Sequence, residues 1–278
     1  HWSEVPGRDE KWKEQTIKNT SEAQFQTEFE CEFLGSIDTL INASKLKTMA
    51  IVDPKRSPDG LDVYEMPIKG HTYVMTVDVA RGINNDYSAF IVVDATKAPY
   101  KIVAKYRNNE IKPIVFPNML KKVGDYYNKA YCLIEINDLG QQVADAMQFE
   151  LEYDNMMMVT QRGRAGQVLG GGFSGRGNQL GLRMTKGTKK IGTSNLKSLI
   201  EGDKLIVQDF DIIAELSTFI SRGKSFEAEQ GAHDDLVMCL VVFSWCANQR
   251  YFKELTNVDV RGQMFTEQQN AIEADMAP

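Results

Sequence analysis

Tyr73-Val74-Met75-Thr76-Val77-Asp78-Val79-Ala80-Arg81-Gly82 is the stretch whose reading decides the fold. β-Branched and apolar residues run up to a single acid, and a glycine-containing turn follows, the pattern of a buried strand that ends at a loop. Aspartate is a poor strand former, and burying its charge costs free energy unless it is paired or holds a metal. Asp78 therefore asks for a partner elsewhere in the chain.

Working outward, Ser88–Asp94 and Tyr100–Tyr106 read as second and third strands, and short turns make the three an antiparallel meander. Pro113 marks a helix start, and Ile114, Met119, Leu120, Val123 and Tyr127 form its apolar stripe. Ala130–Ile136 is a short buried strand that also carries one acid near its end, Glu135, and Asn137-Asp138 can cap a helix running to about Glu152. Asn155–Thr160 reads as a fifth strand. Gly163–Gly181 reads as a mobile loop, too glycine-dense to pack. Helices are expected over Thr188–Ile200 and Phe210–Ile220, with a short strand at Leu205–Val207 between them. Leu236–Ala247 is apolar at every position except Ser244 and too short to cross a bilayer, so it reads as a core helix, opened by His233-Asp234-Asp235.

Two strands and one helix thus each deliver a carboxylate. If the first and fourth strands lie parallel and adjacent, Asp78 and Glu135 share a sheet edge. Hard oxygen donors so placed suit Mg²⁺ or Mn²⁺. Two such ions about 3.5–4 Å apart can activate a water and stabilise the leaving oxygen of a phosphodiester. One strand-end acid is usually a surface residue; three, each ending or opening an apolar element, point to a metal centre.

The 278 residues carry a net charge of −6, which alone argues against nucleic acid. The distribution argues the other way. No acid occurs between Asp154 and Glu201, while Arg162, Arg164, Arg176, Arg183, Lys186, Lys189, Lys190 and Lys197 do, and a local field can bind phosphate whatever the net charge. The four cysteines form no C-x-x-C pair and read as reduced, buried thiols. No membrane span or secretory signal is visible, and a start at His1 rather than Met suggests an excised piece. Gly170–Gly175 satisfies G-x-G-x-x-G without a following helix, and Gly223-Lys224-Ser225 echoes only the end of a P-loop, so no nucleotide site is expected.

With these residues in place the chain resembles the nuclease domain of tailed-bacteriophage large terminases, a ribonuclease H-like family. The resemblance covers Phe25–Gly35, Thr76-Val77-Asp78 with Arg81-Gly82 and Asp86-Tyr87, Tyr131–Asn137, Lys186–Lys204 and Glu229–Val237. It implies an α/β fold: a mixed sheet, with an antiparallel three-strand meander plus parallel strands, flanked by helices. Residues 1–70 would be an extension leading from an absent ATPase domain, 71–250 the nuclease core with a glycine-rich basic loop at 161–187, and 251–278 an acidic tail.

The resemblance also implies Asp78 and Glu135 as metal ligands and a third ligand in the Asp234-Asp235 pair. Asp234 suits the N-cap, which leaves Asp235 facing the metal and Asp234 as the alternative. Asp86 is an auxiliary candidate that equally suits a turn, and His233 either supports the site or caps the helix. Arg183, Lys186, Lys189 and Lys190 are the foremost DNA contacts, with Arg162, Arg164 and Arg176 behind them. The expected activity is two-metal-ion cleavage of double-stranded DNA during viral genome packaging, using Mg²⁺ or Mn²⁺ and leaving 5′-phosphate and 3′-hydroxyl ends. Portal protein, small terminase subunit and the ATPase domain are the implied partners, in the host cytoplasm. A resolvase- or transposase-type nuclease, or a non-catalytic DNA-gripping module, are the competing readings.

Overall fold

The computed structural model describes residues 2, 5–19, 29, 38–81, 86–163, 166–170, 178–223 and 225–256. Phe25, Phe33, Cys31, Arg164, Arg176, nearly all of the Gly170–Gly175 match and the tail from 257 onward lie outside them. Two compact units emerge: His1–Val52 with Val207–Asp234, and Asp53–Ile206 with Asp235–Pro278.

In the first unit, the helix Glu10–Asn19 sets Trp12 under the Arg8 guanidinium, 4.5 Å from the ring centroid. A helix over Phe210–Thr218 is capped by Asp209, whose carboxylate accepts from the Ile212 amide at 2.7 Å. The expected continuation to Ile220 gives way to a hairpin of Phe219–Arg222 and Ser225–Ala228. Gly223 (φ +64°), in the P-loop echo, lies in the turn of that hairpin.

In the second unit, strands β1 (Lys55–Arg56), β2 (Asp62–Val63), β3 (Tyr73–Asp78), β4 (Ser88–Asp94) and β5 (Tyr100–Asn108) precede helix α1 (Phe116–Tyr126). Strand β6 (Tyr131–Ile134), helix α2 (Gly140–Asp145, continued by a π turn to Glu150), and β7 (Met158–Arg162), β8 (Gly166–Leu169) and β9 (Asn178–Leu180) follow. Helix α3 (Lys186–Glu201), β10 (Leu205–Ile206), α4 (Asp235–Ala247) and α5 (Arg250–Thr256) complete it. The main sheet runs β1-β2-β5-β4-β3-β6, with β10 parallel on β5. β3, β4 and β5 form the antiparallel meander, and β6 lies parallel to β3.

Side chains alternate between faces of the sheet. Tyr73, Met75, Val77, Cys132 and Ile134 belong to a core cluster with Phe116, Leu120 and Val123 of α1 and with Val143 and Met147 beyond β6. Residues of the other parity meet α4: Thr76 donates its hydroxyl to the Cys239 carbonyl at 2.9 Å, and the Cys239 thiol donates to the Ala89 carbonyl at 3.4 Å. Every residue of α4 is buried, as its apolar run requires. Each large apolar side chain so placed contributes about 1.5–3 kcal/mol of burial free energy. α3 packs on α4 through Gly192, where a Cβ would stand 2.6 Å from a Val241 methyl, so only glycine allows this approach. Cys132, Cys239 and Cys246 are free and buried, and among the described residues no helix is long and apolar enough to cross a membrane.

Two expectations need correction. The sheet already takes in residues 55–63, which the sequence reading placed in an extension: two-residue strands show no periodicity to read. Among the described residues of the stretch read as a mobile loop, Gly166–Leu169 and Asn178–Leu180 form strands β8 and β9, paired on either side of β7. Glycine density hid them, because their order comes from pairing with β7 rather than from their own propensity.

Candidate metal centre and its basic flank

Backbone register assembles the acids. β3 and β6 pair in parallel from Val74 opposite Tyr131 to Val77 opposite Ile134, so the same register carried one residue further sets Asp78 opposite Glu135. The Glu135 amide donates to the Val77 carbonyl at 2.9 Å, extending the ladder by one bond. Val77 and Ile134 face the α1 core, so the alternation turns Asp78 and Glu135 to the opposite face, the one that α4 covers. Asp235 opens α4 one turn before Cys239, and Cys239 is bonded beside Thr76 and Ala89, the latter paired with Asp78. One helical turn is about 5.4 Å and two strand residues are about 6.6 Å, so the first turn of α4 comes level with the end of β3. Asp235 also accepts from the Tyr87 amide at 3.3 Å, which ties it to the start of β4.

Asp78 and Glu135 are half-buried and Asp235 is buried; Oε2 of Glu135 and Oδ2 of Asp235 are shut off from solvent. This is an all-oxygen donor set that fits a hard divalent cation. The shared edge is a matter of backbone register. Asp86 is exposed in the turn before β4. The boundary between the two compact units falls between Asp234 and Asp235, and His233 and Asp234 are both half-exposed. Across the edge, Arg81 donates to Asp138 at 2.8 Å. The hydrogen bond from Arg81, together with its charge, holds the Asp138 carboxyl below its ordinary range.

Four of the basic candidates follow a segment whose backbone touches this edge. Leu182 bridges Glu135: the Leu182 amide donates to the Ile134 carbonyl at 2.8 Å, and the Ile136 amide donates to the Leu182 carbonyl at 2.9 Å. Gly181 (φ +90°) permits this contact, since a Cβ there would lie 2.4 Å from the Ile134 carbonyl oxygen. Arg183 comes next in the chain, and α3 then begins with Lys186, Lys189 and Lys190, capped by Thr185, whose hydroxyl accepts from the Thr188 amide at 3.1 Å. Arg162 is exposed near the tip of the β7–β8 hairpin, opposite Gly166. The sequence reading missed Asn137 as more than a cap, and Gln167 and Gly140 entirely. Asn137 and Gln167 hydrogen-bond the segment before α3, and a Cβ on Gly140 would stand 1.8 Å from the Glu135 carbonyl oxygen. Only the polarity of Gln167 within a glycine-rich run hinted at its part.

A family model described as the terminase RNaseH-like domain matches residues 75–243, more than half of the chain and the span from β3 into α4. The chain belongs to the terminase RNaseH-like domain family. Its mixed sheet is accordingly a ribonuclease H-like one. Among solved structures, the large terminase nuclease of thermophilic phage G20c with bound magnesium is similar at 21% identity and a TM-score of 0.57, covering 75% of this chain and 97% of that one. The same phage protein with bound cobalt matches at 20% identity with a TM-score of 0.57, covering 75% of this chain and 97% of that one. The large terminase nuclease domain of Thermus phage P74-26 matches at 20% identity and a TM-score of 0.53, covering 73% of this chain and 93% of that one.

Proposed function

We propose that this terminase-family domain is a metal-dependent endonuclease that cuts double-stranded DNA during genome packaging. The observation that carries the reading is the register of β3 against β6, which continued by one residue sets Asp78 opposite Glu135 on the face that α4 covers. In this reading Asp78, Glu135 and Asp235 hold Mg²⁺ or Mn²⁺, two ions in all; the phage G20c relative was solved with magnesium and with cobalt. Such ions, when bound, lower the pKa of water and neutralise charge on phosphate oxygens. Asp234 is the alternative third ligand, and Asp86 and His233 are supporting groups of lower rank.

The chain's own groups do the positioning. Three lysines at the start of α3, with no acid in its first turn, oppose the helix dipole by about 0.3–1 kcal/mol each, and that cost is recovered when an anion sits there. Lys186, Lys189 and Lys190, with Arg183, thus grip backbone phosphates beside the acids without reading sequence, as a cutter of many sequences requires. Arg162, Arg164 and Arg176 extend the grip. The proposal includes an ATPase domain in the same subunit, portal and small-subunit partners, and action in the host cytoplasm.

Asp78→Asn should abolish Mg²⁺-dependent plasmid cleavage while leaving folding and DNA binding intact; undiminished cleavage would sink the proposal. Asp235→Asn should lower cleavage by more than about 10²-fold and Asp234→Asn far less, and the reverse order would move the third ligand to Asp234. Preference for branched over linear duplex would point to a resolvase-type enzyme. Salt-dependent binding with no cleavage in Mg²⁺ or Mn²⁺ would point to a gripping module.

A further inference from the structure

We propose that Asn137 and Gln167 are positioning residues which lock the DNA-gripping segment to the acid edge; the proposal rests on the nuclease reading above. Arg183 and Met184 are consecutive, and the backbone of each is held by one side-chain amide. Asn137 accepts from the Met184 amide through Oδ1 at 2.9 Å and donates to the Met184 carbonyl through Nδ2 at 2.9 Å. Gln167 accepts from the Arg183 amide through Oε1 at 3.0 Å and donates to the Arg183 carbonyl through Nε2 at 2.6 Å. A primary amide offers a donor and an acceptor side by side, so each of these side chains stands in for one rung of a β ladder.

The two amides reach the segment from different sides. Asn137 stands two residues beyond Glu135, in the turn that follows β6. Gln167 stands on β8, in the small three-stranded sheet, and its Oε1 also accepts from Gln179 on β9 at 2.8 Å. Gln167 further donates to the Thr188 hydroxyl at 3.0 Å, and that hydroxyl bonds the capping Thr185 at 2.8 Å. A continuous chain of bonds therefore runs from Glu135 through Asn137 to Met184, and from Gln167 through Arg183 and Thr188 to the first turn of α3. The main-chain bridge at Leu182 brings this segment to Glu135, and two uncharged side chains that need not touch DNA carry the register on through Arg183 and Met184.

Binding and cutting respond differently to a slip in this register. Attraction between lysines and phosphates acts over a Debye length of about 8–10 Å, so a displacement of about 1 Å scarcely changes affinity. Hydrolysis needs the phosphate placed against the acid edge, and a displacement of about 1 Å can cost about 10²-fold in rate. Loss of the amides should therefore uncouple the two.

The test uses Asn137→Ala and Gln167→Ala, with Asn137→Asp and Gln167→Glu as variants that keep the acceptor and lose the donor. Cleavage at saturating DNA should fall at least about tenfold in the alanine variants and less in the acidic ones. Affinity, measured in the Asp78→Asn background where nothing is cut, should change by less than about threefold. Unchanged cleavage overturns the proposal, as does a parallel fall of cleavage, affinity and folded fraction, which marks a merely structural role. If the wild-type chain does not cut DNA, the nuclease reading fails, and hydrogen exchange at the Arg183 and Met184 amides judges the lock by itself. Faster exchange in the alanine variants supports it, and unchanged exchange overturns it.

Discussion

The acid edge and the basic flank adjoin one another but are held by different means. Asp78 and Glu135 are placed by main-chain bonds of a parallel ladder inside the sheet. Past the main-chain bridge at Leu182, Arg183 and Met184 ahead of α3 are held by side-chain amides from Asn137 and Gln167. A ladder cannot be shifted without unfolding the strands that make it, whereas an amide can be removed by one substitution. The proposed site thus joins a candidate ligand set fixed by folding to a candidate grip that can be retuned residue by residue.

The largest expected effect comes from breaking the fixed half. In Gly140→Ala the new Cβ would lie 1.8 Å from the Glu135 carbonyl oxygen and 2.8 Å from its carbon, both backbone atoms with no room to yield. A loss of about 3 kcal/mol or more is expected, read as a lower melting temperature, with cleavage falling because Glu135 is pushed out of register. A stable and active variant would show that the acid edge is more pliant than its ladder suggests.

Removing the grip alone should give a smaller and different effect. Replacing Lys186, Lys189 and Lys190 together by alanine takes away three phosphate contacts, and the slope of log affinity against log salt should become shallower by about 2.7. The melting temperature should hold or rise, because those lysines oppose the dipole of α3. A melting temperature that falls with affinity would mean the lysines support the fold, and the contrast between the two halves would fail. The smallest effect belongs to Asp138→Asn, which removes the exposed tie to Arg81 across the acid edge. Because the Asp138 carboxyl is held below its ordinary range, its contribution is complete above pH near 3.8 and fades as pH falls through the lowered value. The variant should therefore melt almost like the wild type at pH 7, and the small difference between them should vanish in acid.

The same contrast explains what could be read in advance. Strands β3, β4 and β6 and helix α4 announce themselves by runs of apolar residues that only a core can absorb, and two of the site acids stand where those strands end. The third candidate lies in the Asp234-Asp235 pair that opens the apolar helix, a pair that hydropathy located without choosing between its members. Strands β8 and β9 are short, lie within a glycine-rich stretch and are ordered by their partner β7, and a polar glutamine in such a stretch carries no periodic signal. Asn137 was legible as a capping type, yet its bonds go to Met184, which is remote in sequence and near only after the fold has formed. Local pattern exposes what is buried; side-chain locks between distant segments leave no local trace.

The pair of bonds at Cys239 has a mechanical consequence. One bond goes to Thr76 and the other to Ala89, two points on adjacent strands, so both the height and the rotation of α4 are indexed against the sheet. Asp235, one turn upstream, inherits that setting much as a hand on a dial inherits the angle of its spindle. Insertions in the chain ahead of Asp235 are absorbed before the spindle and need not turn the dial, whereas a substitution at Thr76 would. A residue without charge, buried two positions short of Asp78, thereby governs where a carboxylate on another element points.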